Sequence, residues 1–196
     1  NVRKCCPLVH NITNYVTVND VANVILACGA SPIMADDRAE VEEITSICSA
    51  LNINIGTLNE RTIESMLLAG KKAQSLGHKI VLDPVGAGAS ALRTNTAKEL
   101  IQNIQFSVIR GNISEIKTIA LGNGTTKGVD ADISDAVTED NLEKSVAFVK
   151  EVAQKNKCVV AVTGAIDLVS DGTKCFVIRN GRATVVPCSG VFIRVL

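Results

Sequence analysis

Short runs of aliphatic and β-branched residues alternate along this chain with longer stretches whose apolar positions recur every three or four residues. In residues 14–29, Val18, Val21, Ala22, Ile25 and Leu26 fall on one stripe and Gly29 supplies a stop, which predicts a helix. Ile33-Met34 is a short strand candidate, and residues 38–50 predict a second helix. Strands are expected at 51–55, 79–83 and 106–109, helices at 60–76 and 95–103, and a further helix from near Asn112. Residues 139–155 are amphipathic, and the unbroken apolar run Cys158-Val159-Val160-Ala161-Val162 reads as a buried strand. Beyond it, 168–170, 174–178 and 184–186 predict short strands, separated by the turns Ser170-Asp171-Gly172 and Arg179-Asn180-Gly181. The expected architecture is α/β: one domain over 1–196, with a mainly parallel sheet covered on both faces and an antiparallel meander on one edge.

Composition narrows the function classes. Lys and Arg total 20 and so do Asp and Glu, so the formal charge is zero and no concentrated positive field favours a nucleic acid. Four Phe, one Tyr and no Trp make a poor base-stacking platform. No apolar run reaches the ~18–20 residues of a membrane-spanning helix. The seven cysteines form no C-x-x-C pair, and with His10 and His78 the sole histidines no metal-ligand spacing emerges. They read as small buried hydrophobes in a reducing, cytoplasmic compartment. The first residues lack an apolar signal core, so no secretion signal is expected, and the absent initiator Met suggests a start inside a gene.

In an open parallel sheet the carboxyl ends of the strands share one edge, where ligands bind. The residues leaving the expected strands are Gly56-Thr57, Asp83-Pro84-Val85-Gly86-Ala87-Gly88, Arg110-Gly111-Asn112 and Thr163-Gly164. A carboxylate such as Asp83 can position a hydroxyl or hold Mg²⁺, directly or through water. Gly86 and Gly88 let backbone N–H groups approach an anion, and Arg110 can clamp phosphate oxygens. Asn112 and Glu115 share the positive end of a helix, and Thr163-Gly164 offers a hydroxyl and an unhindered N–H. Each also has an ordinary reading. Asp83-Pro84 is a common turn, Asn112-Ile113-Ser114-Glu115 has the form of a capping box, and Arg110 is equally a solvated surface charge. Met34 by its spacing is a core residue. Recurrence at four strand ends is what favours a phosphate site.

Pro7-Leu8-Val9-His10-Asn11-Ile12-Thr13-Asn14 resembles the opening motif of hydroxyethylthiazole kinases. Ala22-Asn23, Gly29-Ala30-Ser31-Pro32-Ile33-Met34-Ala35 and Asn54-Ile55-Gly56-Thr57-Leu58 are similar to that family in order, as are the Asp83 and Arg110 segments, Lys127-Gly128-Val129-Asp130 and Val162-Thr163-Gly164. The resemblance spans about residues 7–186. It implies a ribokinase-like fold, a homotrimer, and phosphorylation of 4-methyl-5-(2-hydroxyethyl)thiazole by Mg-ATP in thiamine salvage. It also implies residue roles. Met34 would touch the thiazole at a site between subunits, and Asn14 would help line that pocket. Arg110 and Thr163 would contact ATP, and Asp83 and Glu115 would serve Mg²⁺ and the phosphates.

The resemblance fails at the end of the chain. The family carries a G-T-G-C or G-A-G-C segment, whose backbone forms an anion hole and whose Cys is the base. Here Gly190 aligns with its first glycine, and so counts among the substrate-binding positions, but Ile193 stands where the Cys is expected and Cys188 is five residues early. The catalytic residue is therefore unassigned. The chain as written is expected to have little or no kinase activity, and a frameshift or truncation is the favoured origin of the tail. Two other readings compete: a kinase of another small alcohol, and a protein that binds thiazole or nucleotide without turnover. A dinucleotide oxidoreductase is disfavoured, because no G-x-G-x-x-G follows the first strands.

Overall fold

The computed structural model describes residues 2–121 and 136–179. In chain order the elements are α1 (Val2–Cys5), β1 (Leu8–Ile12), α2 (Val18–Cys28), β2 (Ser31–Met34), α3 (Val41–Ile47), β3 (Ala50–Asn54) and α4 (Glu60–Ser75). They continue with β4 (Lys79–Asp83), α5 (Ala91–Asn103), β5 (Val108–Gly111), α6 (Ile113–Leu121), α7 (Leu142–Asn156), β6 (Val159–Val162), β7 (Asp167–Ser170) and β8 (Cys175–Ile178). All eight strands form one sheet in the order β2-β1-β3-β4-β5-β6-β7-β8. β1 to β6 run parallel, β7 pairs antiparallel with β6, and β8 pairs antiparallel with β7. The α/β architecture with an antiparallel edge is as the sequence pattern predicts.

β1 is the strand that periodicity missed. Its centre is His10-Asn11, and two polar residues in a five-residue segment hide a buried strand. They are buried because their hydrogen bonds are met inside. The His10 Nε2–H donates to the Ala35 carbonyl (2.8 Å), leaving Nδ1 to accept from the Thr45 hydroxyl (2.9 Å). A carbonyl can only accept, so the tautomer is decided by geometry. Burial holds the imidazole pKa below its ordinary value, partly offset by the bond to Ala35 and the charge of Glu40.

The helix expected over 14–29 starts later, at Val18, because Asn14 accepts from the Thr17 N–H (3.1 Å) and hydroxyl (3.0 Å) and holds a turn instead. The helix expected over 38–50 shrinks to α3: Asp37 accepts from the Ala39 N–H in a turn before it, and Ala50 already belongs to β3. The Ser170-Asp171-Gly172 turn does join β7 to β8; Asp171 Oδ1 accepts from Thr173 and Lys174, and Gly172 takes φ +91. The second turn and the strand expected at 184–186 lie outside the described residues.

Helices on both faces were expected, and the faces prove unequal. Leu51, Ile53, Ile80, Leu82, Ile109, Val160 and Val162 are fully buried beneath Val41 of α3, Met66 and Ala69 of α4, Leu100 of α5, Ile116 of α6 and Phe148 of α7. Their neighbours along the strands, Asn52, Val81, Val108, Arg110, Val159 and Ala161, are half-buried. The strand order explains this. The connection from β1 leads outward to β2, and the next returns across β1 to β3, so right-handed crossovers put α2 and α3 on opposite faces. Among the described residues the second face carries α2 at the β2 edge. No residue of α2 is buried, although Val18, Val21, Ala22, Ile25 and Leu26 are apolar.

The cysteines depart from expectation in part. Cys48 and Cys158 are buried, whereas Cys5, Cys6 and Cys28 are exposed and Cys175 is intermediate; Cys188 lies outside the described residues. Cys28 is exposed for the same reason as the rest of α2. No helix of the described residues is long and apolar enough to cross a membrane.

Candidate active site

Asp83 is the last residue of β4, and parallel register sets it beside Asn54, the last residue of β3. Asn54 Nδ2 donates to Asp83 Oδ2 (3.0 Å), and Arg110 Nη1, from β5, donates to the same oxygen (2.9 Å). On its other side Asn54 Oδ1 accepts from Asn14 Nδ2 (2.9 Å), two residues beyond β1. Groups from four strand ends thus form one row of side-chain hydrogen bonds along the carboxyl edge. It crosses the gap between β1 and β3, where the strand order reverses, the place where open α/β sheets bind ligands.

Asp83 is the unusual member. Oδ2 has two donors, but Oδ1 is buried with no hydrogen-bond partner. Burial pushes the carboxyl pKa up to about 6; the Arg110 guanidinium opposes the rise and Glu115 adds to it. A buried acceptor left unmatched costs free energy unless something else meets it. Thr13 Oγ1, at the end of β1, is likewise buried and unmatched, so two of the three such atoms among the described residues lie on this edge.

Glu115 is the reverse case. Its Oε1 accepts from the Gly86 N–H (2.8 Å) and its Oε2 from the Asn112 N–H (2.8 Å). Asn112 Oδ1 accepts in turn from the Glu115 N–H (2.8 Å), so the capping box is real and α6 begins there. Glu115 therefore pins the β4–α5 loop to the start of α6. The loop glycines do not behave as the sequence suggests. Gly86 gives its N–H to Glu115, and Gly88 gives its own to the Thr94 hydroxyl (2.9 Å), so neither is spare for an anion. They are needed for shape: φ is +73 and +96, and a Cβ would stand 2.7 Å from Arg93 Nη1 and 2.8 Å from Thr118 Oγ1 respectively.

Thr163 follows β6 and is tied to the end of β5, its N–H donating to the Gly111 carbonyl (2.9 Å). The Gly164 N–H donates to Asp167 Oδ1 (2.9 Å). Met34 ends β2, half-buried, in register with Asn11 of β1. The structure thus brings Arg110 into direct contact with Asp83, links Asn14 to Asp83 through Asn54, joins Glu115 to the same loop, and sets Thr163 one strand further along. Met34 sits apart on the outermost strand. Gly190 and the 127–130 motif lie outside the described residues.

Asn54 and Thr13 are the site residues that carried no role in the sequence reading. The signal for Asn54 was an amide at the end of a parallel strand, although Asn52 in the same strand weakened it. For Thr13 none was present, since its unmatched hydroxyl exists only in the folded chain. Among the described residues no group of three His, Cys, Asp or Glu side chains could by itself hold a metal ion.

The hydroxyethylthiazole kinase family model matches residues 1–191, further at both ends than the motifs over 7–186. The chain is 61% identical over 190 residues to the hydroxyethylthiazole kinase of Clostridium acetobutylicum, covering 97% of this chain and 70% of that protein. It superposes on the structure of the hydroxyethylthiazole kinase protein from Pyrococcus horikoshii OT3 with a TM-score of 0.80 at 41% identity, covering 92% of this chain and 65% of that one. Adenosine kinase from Anopheles gambiae, at 12% identity and a TM-score of 0.54, shares the fold over 90% of this chain and 61% of its own. The chain spans about two thirds of the length of such proteins.

Proposed function

The chain belongs to the hydroxyethylthiazole kinase family, and we propose on that footing that its chemistry is transfer of the terminal phosphoryl group of ATP to the hydroxyl of 4-methyl-5-(2-hydroxyethyl)thiazole, in cytoplasmic thiamine salvage. The observation that carries this reading is the unmatched Asp83 Oδ1 beside an Arg110 guanidinium at the strand-order reversal. Phosphoryl transfer needs positioned reactants and fixed positive charge around the moving phosphate more than it needs covalent help from the protein. Arg110 supplies such charge, and Thr163 adds a hydroxyl donor at the nucleotide end.

The residues present fit a magnesium ion that arrives with the nucleotide. Mg²⁺ keeps several waters and takes one or two carboxylates plus phosphate oxygens, so a three-ligand cage is not required. Asp83 Oδ1 is the oxygen open to it, and Glu115, with each oxygen already holding one N–H, would act through water. Bound there, the ion would screen phosphate charge. No residue is assigned as the base on the alcohol, since the segment that bears it in the family falls where this chain has Ile193. Turnover by the sequence as written is accordingly expected to be slow.

The alcohol would lie toward Asn14 and Met34. Several features of that region suit the homotrimer: β2 is an outermost strand, α2 buries none of its apolar residues, and Tyr15 and Val16 are 61% and 79% exposed. A subunit seated there would put Met34 at a shared boundary.

The test is incubation of the full chain with ATP, Mg²⁺ and the thiazole alcohol, beside a version carrying the G-T-G-C segment. A phosphate ester of the alcohol, formed one for one with ADP and abolished by EDTA, is expected from the version carrying that segment, and little or none from the chain as written. Faster esterification of another small alcohol would replace the substrate assignment. Calorimetric binding of the alcohol with no ester from either version would mean a binding protein.

A further inference from the structure

We propose that Asn54 is a positioning residue for the reaction: it fixes the Asp83 carboxyl group with Oδ1 turned to the reacting groups, and it links that orientation to Asn14 at the alcohol end. The inference rests on the kinase reading above and adds a residue to it.

The hydrogen bonds leave no choice of direction. Asn54 Oδ1 accepts from the Gly56 N–H (2.9 Å), and a backbone N–H can only donate, so this end of the amide is oxygen. The NH₂ end must then face Asp83. Asn14 is oriented by the same logic: its Oδ1 accepts from the Thr17 N–H, so its Nδ2 donates to Asn54. Each amide has its oxygen locked by backbone and its NH₂ aimed at the next group, and the row ends on Asp83 Oδ2. Reversing either amide would set N–H against N–H.

Two donors, Asn54 and Arg110, converge on Oδ2 from neighbouring strands on either side of β4. Together they fix the plane of the carboxyl group, and because a half-turn only exchanges two equivalent oxygens, one oxygen takes both donors and the other takes none. That is what keeps Oδ1 unshared. Asn54 is 8% exposed, so no water competes easily for its amide. Gly56 is part of the device: a Cβ there would stand 2.9 Å from Asn14 Cβ and 3.0 Å from Asn54 Oδ1, so N-x-G is the spacing that lets the three approach.

Asn54 touches no reacting atom, so its loss should slow the chemical step more than it weakens binding. In the version carrying the G-T-G-C segment, Asn54→Ala is expected to lower kcat about 10–100-fold, with both KM values held within about 3-fold. Asn54→Asp keeps the volume but sets carboxylate against carboxylate, and is expected to do at least as much damage while melting as a folded protein. A second measurement needs no turnover. The side-chain NH₂ resonances of Asn14 should move in Asp83→Ala, although the two residues do not touch, and should stay still when Asp83→Ala is made in the Asn54→Ala background. Unmoved Asn14 resonances in Asp83→Ala, or an unchanged kcat in Asn54→Ala, would overturn the proposal while that version with Asn54 intact stays active. Absence of phosphate ester from the chain with Asn54 intact and the G-T-G-C segment in place would instead overturn the kinase reading, and this inference with it.

Discussion

At the β1–β4 end of the carboxyl edge, Asn14, Asn54, Asp83 and Arg110 are joined through consecutive side-chain hydrogen bonds of 2.9, 3.0 and 2.9 Å. At the β5–β6 end, Thr163 and Gly164 bond instead to the backbone of the neighbouring strand and to the start of β7, through the Gly111 carbonyl and the Asp167 side chain. The first arrangement is a set of side chains from distant parts of the chain, oriented by each other and ending on an unmatched oxygen. The second is a strand end whose hydroxyl makes one long bond, to the Gly111 carbonyl (3.4 Å). The difference teaches that the first end is organised by its own side chains, whereas the second is held by neighbouring backbone and by Asp167; on the proposed reading these are the phosphoryl-accepting and nucleotide ends.

Substitutions can break or sharpen that contrast. Asp83→Ala removes the one carboxylate among the described residues with an open buried oxygen, and is expected to lower the rate of ester formation by about 10³-fold or more. Retention of a tenth of the rate would mean the β1–β4 row is not the reacting end. Arg110→Met should follow, with kcat/KM for ATP down about 100-fold and KM for the alcohol little changed. Equal weakening of both substrates would erase the division between the ends. Glu115→Ala should act on the fold: loss of the cap and of the Gly86 bond costs about 2 kcal/mol, read from urea denaturation.

His10 tests the β1–β2 end through pH. Burial holds its folded pKa below the ordinary 6.5, so the unfolded chain takes up the proton first as pH falls. Its contribution to stability is therefore complete above pH ~6.5 and is lost as pH falls from there through the lower folded value. The denaturation midpoint should drop between pH 7.5 and 5.5, and His10→Asn should flatten that part of the drop. A midpoint equally steep in both proteins would remove His10 from the account. Thr163→Ala should have the smallest effect, raising KM for ATP about 2–5-fold. A loss as large as that of Arg110→Met would show the nucleotide end to be as tightly organised as the other.

The alternation of apolar runs and helical stripes was sufficient for the α/β layers, the parallel order of the later strands and the β7–β8 turn, because those depend on periodicity and turn chemistry within a few residues. Asp83, Arg110 and Thr163 were legible as a group since all stand at strand ends, and parallel strands bring such ends to one edge. β1 was not legible, because His10 and Asn11 are polar and their burial depends on Thr45, Ala35 and Val9, which supply partners only after folding. The loop glycines were misread for a related reason: their flexibility is local, but the destination of their N–H groups was decided by Glu115 and Thr94. Only tertiary structure could show that Oδ1 of Asp83 is left open while both oxygens of Glu115 are filled. A carboxylate's hydrogen-bond partners come from whichever strands lie beside it, and strand order is a property of the whole sheet.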